Sequence, residues 1–207
     1  MSSFPSSTTL FKELGDPFLN KNRLEAFSDG VFAIIITIMV LELKVPETPH
    51  WSEISSIIPT FFAYLMSFIF VLSFWVSHHR MLFKLEKIDV STLWLNGLFL
   101  FTLSVLPFST GWVGRFPMSA APEVTYGISF VISNLAFRWL SSNIHAEKTK
   151  NNIPDAGYRK IRFEVLTLTA VQAVLTGLGF FFPIIVFTGV SIIAIYCAIS
   201  QGQINRK

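Results

Sequence analysis

The sequence predicts an all-α integral membrane protein with six transmembrane helices, and three observations carry that prediction. The 207 residues are 52% hydrophobic and 14% charged, with a mean hydropathy of +0.56, whereas a soluble domain carries about a quarter charged residues. The charges are clustered, which leaves long uncharged stretches between them. A bilayer core about 30 Å thick needs about 20 mostly apolar residues per helix, so a chain of this length is filled by about six spans and short loops, in one domain.

The first span covers residues 23–43 and stops before Lys44, Pro46 and Pro49. The second, residues 54–76, is rich in phenylalanine and runs into the polar cluster His78-His79-Arg80. The third, residues 90–112, contains Asn96 and Pro107, and the fourth covers residues 124–140. Residues 142–159 are too polar to cross. The last apolar stretch is too long for one helix and divides at Gly179–Pro183 into spans over residues 161–182 and 183–200. Residues 1–22 and 201–207 remain as tails flanking the membrane domain, 23–200. The first 20 residues are polar and lack the apolar run of a secretory signal.

Charge sets the orientation. With both ends in the cytoplasm, fourteen of the lysines and arginines fall inside and only Lys44 and Arg115 outside, as the positive-inside rule requires. The net charge of +3 is too small to imply nucleic acid. Cys197, the single cysteine, has no partner for an intrachain disulfide and reads as a small hydrophobe. His78 and His79 are adjacent, with no cysteine or acid at metal-ligand spacing. Ser28 has no neighbouring base to activate it. No metal, cofactor or enzyme activity is expected.

The first helix carries most of the information. Arg23, Glu25 and Asp29 lie in its first two turns, and ionisable groups at a span's edge face protein, water or headgroups. Arg23 and Asp29 point about 240° apart on a helix, and Glu25 and Asp29 are like charges at i,i+4. Each therefore needs either a partner on another helix or solvation by headgroups. Beyond Asp29 the segment is apolar except for Thr37. Arg23, Phe27, Gly30, Ile34, Thr37, Ile38 and Leu41 fall within roughly 60° of one stripe, with Asp29 almost opposite. Such a stripe suits ordinary helix packing. It also suits an aliphatic pore wall that gates by dewetting. One of the two histidines is expected to join the polar residues of this helix. Trp75 and Trp94 either donate to them or sit as interfacial aromatics, and Asn96 is expected to hydrogen-bond across helices.

The run Arg23-Leu24-Glu25-Ala26-Phe27-Ser28-Asp29, followed by GVFAIIITIMVLELKVP, resembles the signature of the transmembrane protein 175 family, the lysosomal potassium channel and its bacterial homologues. Phe74-Trp75-Val76-Ser77-His78-His79-Arg80, Leu93-Trp94-Leu95-Asn96 and Leu106-Pro107-Phe108 resemble it too. The resemblance implies a potassium-permeable channel in the bacterial inner membrane, with no cofactor and potassium as the permeant ion. Its partners would be the bilayer and further copies of itself, in a homotetramer whose first helices ring a central pore. It places the constriction on Ile34, Ile38 and Leu41, and a hydroxyl ring on Thr37. A structural network falls on Arg23, Phe27, Ser28, Asp29, Trp75, His78, His79 and Asn96. As in the family, no carbonyl filter of the TVGYG kind is present. One copy of the signature argues against the two-repeat arrangement of the animal protein. The rivals are a proton or weakly selective cation leak, a small secondary transporter, and a scaffold that transports nothing. A transporter would place ionisable groups at the midplane, which here is aliphatic.

Overall fold

The computed structural model describes residues 21–83, 85, 88–153 and 158–204, without the side chains of 159–161 and 201–204. Most of the two expected tails lies outside the described residues. The described residues form helices α1 (Lys21–Val40), α2 (Ile54–Leu82), α3 (Val90–Ser104), α4 (Leu106–Arg115), α5 (Ala120–Lys150), α6 (Tyr158–Leu178) and α7 (Ile184–Ile204), with a short 3-10 turn at Trp51–Glu53 and no strand. α3 and α4 are separated by Val105 alone and make one crossing, so seven helices give six spans. The segments Trp51–Leu82 and Val90–Arg115 have mean hydropathies of 2.1 and 1.5 over a membrane-length window.

Two elements differ from expectation. The third span is broken, because Pro107 has no N–H to give the helix and its ring crowds the preceding turn. The chain closes that turn with Val105 N–H on the Thr102 carbonyl at 3.4 Å, and α4 then starts with the proline in its first turn. The fourth span continues as a helix through polar residues as far as Lys150. It ends where Asn152 adopts φ 54° and Ile153 N–H returns to the Lys148 carbonyl at 2.9 Å, a left-handed close that asparagine tolerates. The break between the last two spans falls within Gly179–Pro183, between Leu178 and Ile184.

Phenylalanine fills the interior. Phe70 meets Phe130 with centroids 4.4 Å apart, and Phe99 meets Phe74 at 5.3 Å and Phe137 at 5.1 Å, all tilted or edge-on, the geometry that aromatic quadrupoles prefer. In hydrocarbon, polar groups must be satisfied within the protein. Ser67 on α2 accordingly bonds Thr110 on α4 at 2.8 Å and Tyr126 on α5 at 2.9 Å, all three buried. Glu123, buried at the start of α5, accepts the Phe187 N–H at 3.0 Å in the first turn of α7. A carboxylate there satisfies a free helix-end donor and complements the helix dipole.

The approach of α4 to α2 depends on Gly114. A Cβ at that position would lie 2.7 Å from the Thr60 Cα, and backbone cannot yield as a side-chain tip can. Gly114→Ala is therefore expected to destabilise the fold by about 1–3 kcal/mol. Gly177→Ala, with nothing within 4 Å of the added carbon, is expected to be neutral or slightly stabilising. Thermal melts of the two variants in one detergent check the contrast.

Candidate functional site

α1 has two unlike faces. Leu24, Ser28, Phe32, Ile35 and Met39 recur at helical spacing and are buried against the rest of the subunit. The opposite side is bare: Ile34 is 56% exposed, Ile38 44% and Leu41 70%, with Thr37, Phe27 and Gly30 exposed alongside them. Every residue of the predicted stripe lies on the bare face, which also takes in Ala26, Asp29, Ala33 and Val40. Arg23 is exposed at its start. Ile34 and Ile38 also line a groove of about 410 Å³ that runs between α1 and α4, past Glu42, Pro107 and Phe108.

Thr37 bonds within its own helix, its hydroxyl lying 3.0 Å from the Ala33 carbonyl and 2.9 Å from that of Ile34. The hydroxyl proton is thus turned back to the backbone. The oxygen keeps lone-pair capacity to accept a further bond.

The buried face is anchored by a directed chain of hydrogen bonds. Ser28 Oγ donates to the Leu24 carbonyl at 2.8 Å, so it accepts from Asn96 Nδ2 at 2.9 Å. The amide oxygen of Asn96 is then left for His78 Nε2 at 2.8 Å, which makes the histidine the donor. All three side chains are buried, and they tie α1 to α3 and α3 to α2. Phe32 and Phe99 enclose the imidazole, with centroids 5.8 Å and 6.2 Å away. His78 is therefore the histidine that joins α1.

His79 is exposed and stacks on Trp75, with centroids 6.3 Å apart. Trp75 Nε1 donates to Asp29 Oδ1 at 2.8 Å in a second, exposed link between α1 and α2. Trp94 stands exposed. Glu25 departs from the expectation of an interhelical or solvating partner. It lies 3.5 Å from Lys21 on the same helix, because α1 starts early enough to place a lysine at i−4. Among the described residues, no group of three histidines, cysteines or acids is placed to hold a metal.

Sequence reasoning missed a polar knot beside the cluster. Asp89 caps α3 by accepting the Thr92 N–H at 2.7 Å. Asn143 on α5 donates to Thr92 Oγ1 at 2.9 Å, and Thr92 approaches Glu147 at 3.4 Å. The order Asp-Val-Ser-Thr before an apolar run is a readable cap signal; the partners on α5 are not. Burial pushes the Asp89 carboxyl up, but the bonds from Thr92 and Asn143 outweigh it and leave the net pKa lowered. Burial, and next the Asp89 charge, raise Glu147.

Residues 23–107 match the family described as "Endosomal/lysosomal potassium channel TMEM175". A potassium channel of Chryseobacterium sp. (strain P1-3) is 38% identical over 91% of this chain and 98% of its own length. The crystal structure of a lysosomal potassium-selective channel TMEM175 homolog from Chamaesiphon minutus superposes with a TM-score of 0.76 at 29% identity, covering 87% of this chain and 97% of that one. The human protein named endosomal/lysosomal proton channel TMEM175 is 29% identical over 66% of this chain and 31% of its own length. The fold and the first helix define a membrane protein of the ion-channel class. The chain belongs to the TMEM175 family and is similar to the Chryseobacterium channel along nearly its full length.

Two predictions follow from this geometry. Asn96→Leu strands the buried His78 Nε2–H, at about 1–3 kcal/mol, whereas Trp75→Phe removes one exposed bond and is expected to cost less than about 1 kcal/mol. Thermal unfolding of the purified variants ranks them. For the knot, an acid with a raised folded pKa favours the protonated folded state. Its contribution therefore grows as pH falls from 7 toward the ordinary glutamate range. The lowered Asp89 acts in the opposite sense, and only below its ordinary range near pH 3.8. Between pH 7 and 4.5 the melting temperature of wild type is expected to rise relative to that of Glu147→Gln, read from paired melts.

Proposed function

We propose that the chain is a potassium-permeable cation channel of the inner membrane, with four copies ringing an axis and their α1 bare faces turned inward. Residues 23–200 form the channel domain and both tails are cytoplasmic. Ile34, Ile38 and Leu41 are the constriction, and Thr37 supplies the one ring of oxygens. The observation that carries this reading is the bare stripe, which combines aliphatic side chains with a hydroxyl whose proton is already committed to its own helix. An oxygen so held offers a permeating ion an acceptor, which suits a cation and not an anion. Arg23, Phe27, Ser28, Asp29, Trp75, His78, His79 and Asn96 are the framework that holds α1 at that angle. The resemblance to the Chamaesiphon minutus and Chryseobacterium channels supports the same ion. No resident cofactor enters the reading.

A proton-conducting pore is the second reading, favoured by the name of the human relative. The buried chain through His78 gives it no support, since it ends on the Leu24 backbone carbonyl.

The reversal potential under bi-ionic conditions separates the readings. Thr37→Val keeps the shape but not the oxygen. Loss of one contact to a charge, worth about 1.5 kcal/mol, corresponds to about tenfold. The potassium-over-sodium ratio is expected to fall by up to about tenfold, with assembly intact. Ile34→Asn is expected to wet the constriction and raise the resting current. An unmoved ratio in the first variant and unchanged current in the second would remove both residues from the pore. A potential that follows only the pH gradient would favour protons.

A further inference from the structure

A cavity of about 190 Å³ opens among α2, α5, α6 and α7, at the end of the bundle where the basic residues gather. Arg80 from the end of α2, with His145 and Lys148 one turn apart on α5, supply its polar wall. Lys148 is only 6% exposed. Glu164 is the one carboxylate among the described lining residues, so the wall is net positive even with the imidazole neutral. The hydroxyls of Ser77 and Ser141 line the cavity as well. Tyr158 stacks on His145 with centroids 3.5 Å apart and donates to Ser142 at 3.2 Å, which fixes the side of the site where α6 begins. Phe137, Val165 and Leu168 supply an apolar part of the lining.

We propose that this cavity binds the phosphodiester headgroup of an anionic phospholipid of the cytoplasmic leaflet. Three features select that ligand. Guanidinium and ammonium groups beside hydroxyl donors match the non-bridging oxygens of a phosphate. The apolar part of the lining matches the first carbons of a lipid and would be wasted on a free anion. The volume lies below the roughly 300–1,000 Å³ of a pocket that swallows a whole drug-sized ligand, and so suits a headgroup whose tails remain outside. Tyr196, in the cavity wall, is 47% exposed, so one side of the site opens at the outer surface of α7. Basic pockets between helices at the cytoplasmic face are where lipid headgroups are held. α6 and α7 pack on α2, α5 and each other, while α1 packs on α2, α3 and α4. The cavity thus lies on the helices that face lipid when α1 faces the axis. The proposal rests on the cytoplasmic orientation of this end, and not on which ion the pore carries.

Native mass spectrometry of the full chain in mild detergent tests it, with phosphatidylglycerol, phosphatidylcholine and inorganic phosphate as probes. Wild type is expected to retain phosphatidylglycerol in preference to phosphatidylcholine, and millimolar phosphate is expected not to displace it. Lys148→Gln is expected to weaken retention about tenfold, as for loss of one charge-assisted contact. Ser141→Leu, which fills the cavity without touching a charge, is expected to do the same and carries the test if the buried lysine proves essential to folding. Arg162→Gln, an exposed basic residue outside the cavity, is expected to leave retention unchanged. Equal retention of both lipids, or equal weakening by Arg162→Gln, would overturn the proposal in favour of unspecific annular binding. Displacement by phosphate would overturn it in favour of a free-anion site. The readout is binding and not conduction, so each of these results leaves the pore reading standing.

Discussion

The Asn96 amide is the point on which the position of α1 depends. An amide in hydrocarbon must find partners for both its ends, and this one reaches Ser28 on one side and His78 on the other. A pairing that satisfies all three groups allows little rotation of α1. Turning α1 by one residue would move Ser28 by about 100° and leave the buried Asn96 Nδ2 without its partner. The same constraint sets which residues of α1 are bare. With Ser28 inward, Ile34, Thr37, Ile38 and Leu41 are turned to the opposite side of α1 and lie exposed. The chemistry of the outward stripe is therefore fixed by polar contacts made on the other face.

The rest of the polar inventory obeys the same rule at different depths. The Ser67–Thr110–Tyr126 contacts tie α2, α4 and α5, and Glu123 closes the start of α7. Many other hydroxyls simply return their protons to carbonyls four residues back, as Ser129, Thr169 and Thr188 do. Such self-satisfied hydroxyls cost little in a membrane helix and carry no information about neighbours. Those that reach across helices are few, and they fix the packing.

Much of this was legible in the residues alone, and the parts that were not share a cause. The six crossings and the break near Gly179–Pro183 follow from length, apolarity and helix-breaking residues, all local properties. The stripe on α1 follows from a period of 3.6. Adjacent histidines at 78 and 79 could not be told apart, because only the packing of Phe32 and Phe99 around one imidazole selects it. Glu123 escaped notice because its partner is the backbone of Phe187, 64 positions away. Pro107 was visible, but a proline in a membrane helix can kink it or break it. The cavity among α2, α5, α6 and α7 gathers residues from four helices, a coincidence that no spacing in the sequence encodes.

The interruption at Val105 has a mechanical meaning. A continuous third span would clamp α1 along its whole length as a single stiff splint. Instead α3 holds α1 through the Asn96 contact, while α4 borders the groove beside Ile34 and Ile38 and packs its Gly111 under Glu42. The joint between them lacks a full set of helical bonds. The two halves of α1 therefore rest on two separate bearings. The wall beside Ile34 and Ile38 and the amide that seats α1 thus belong to two helices, joined where proline leaves the backbone one bond short.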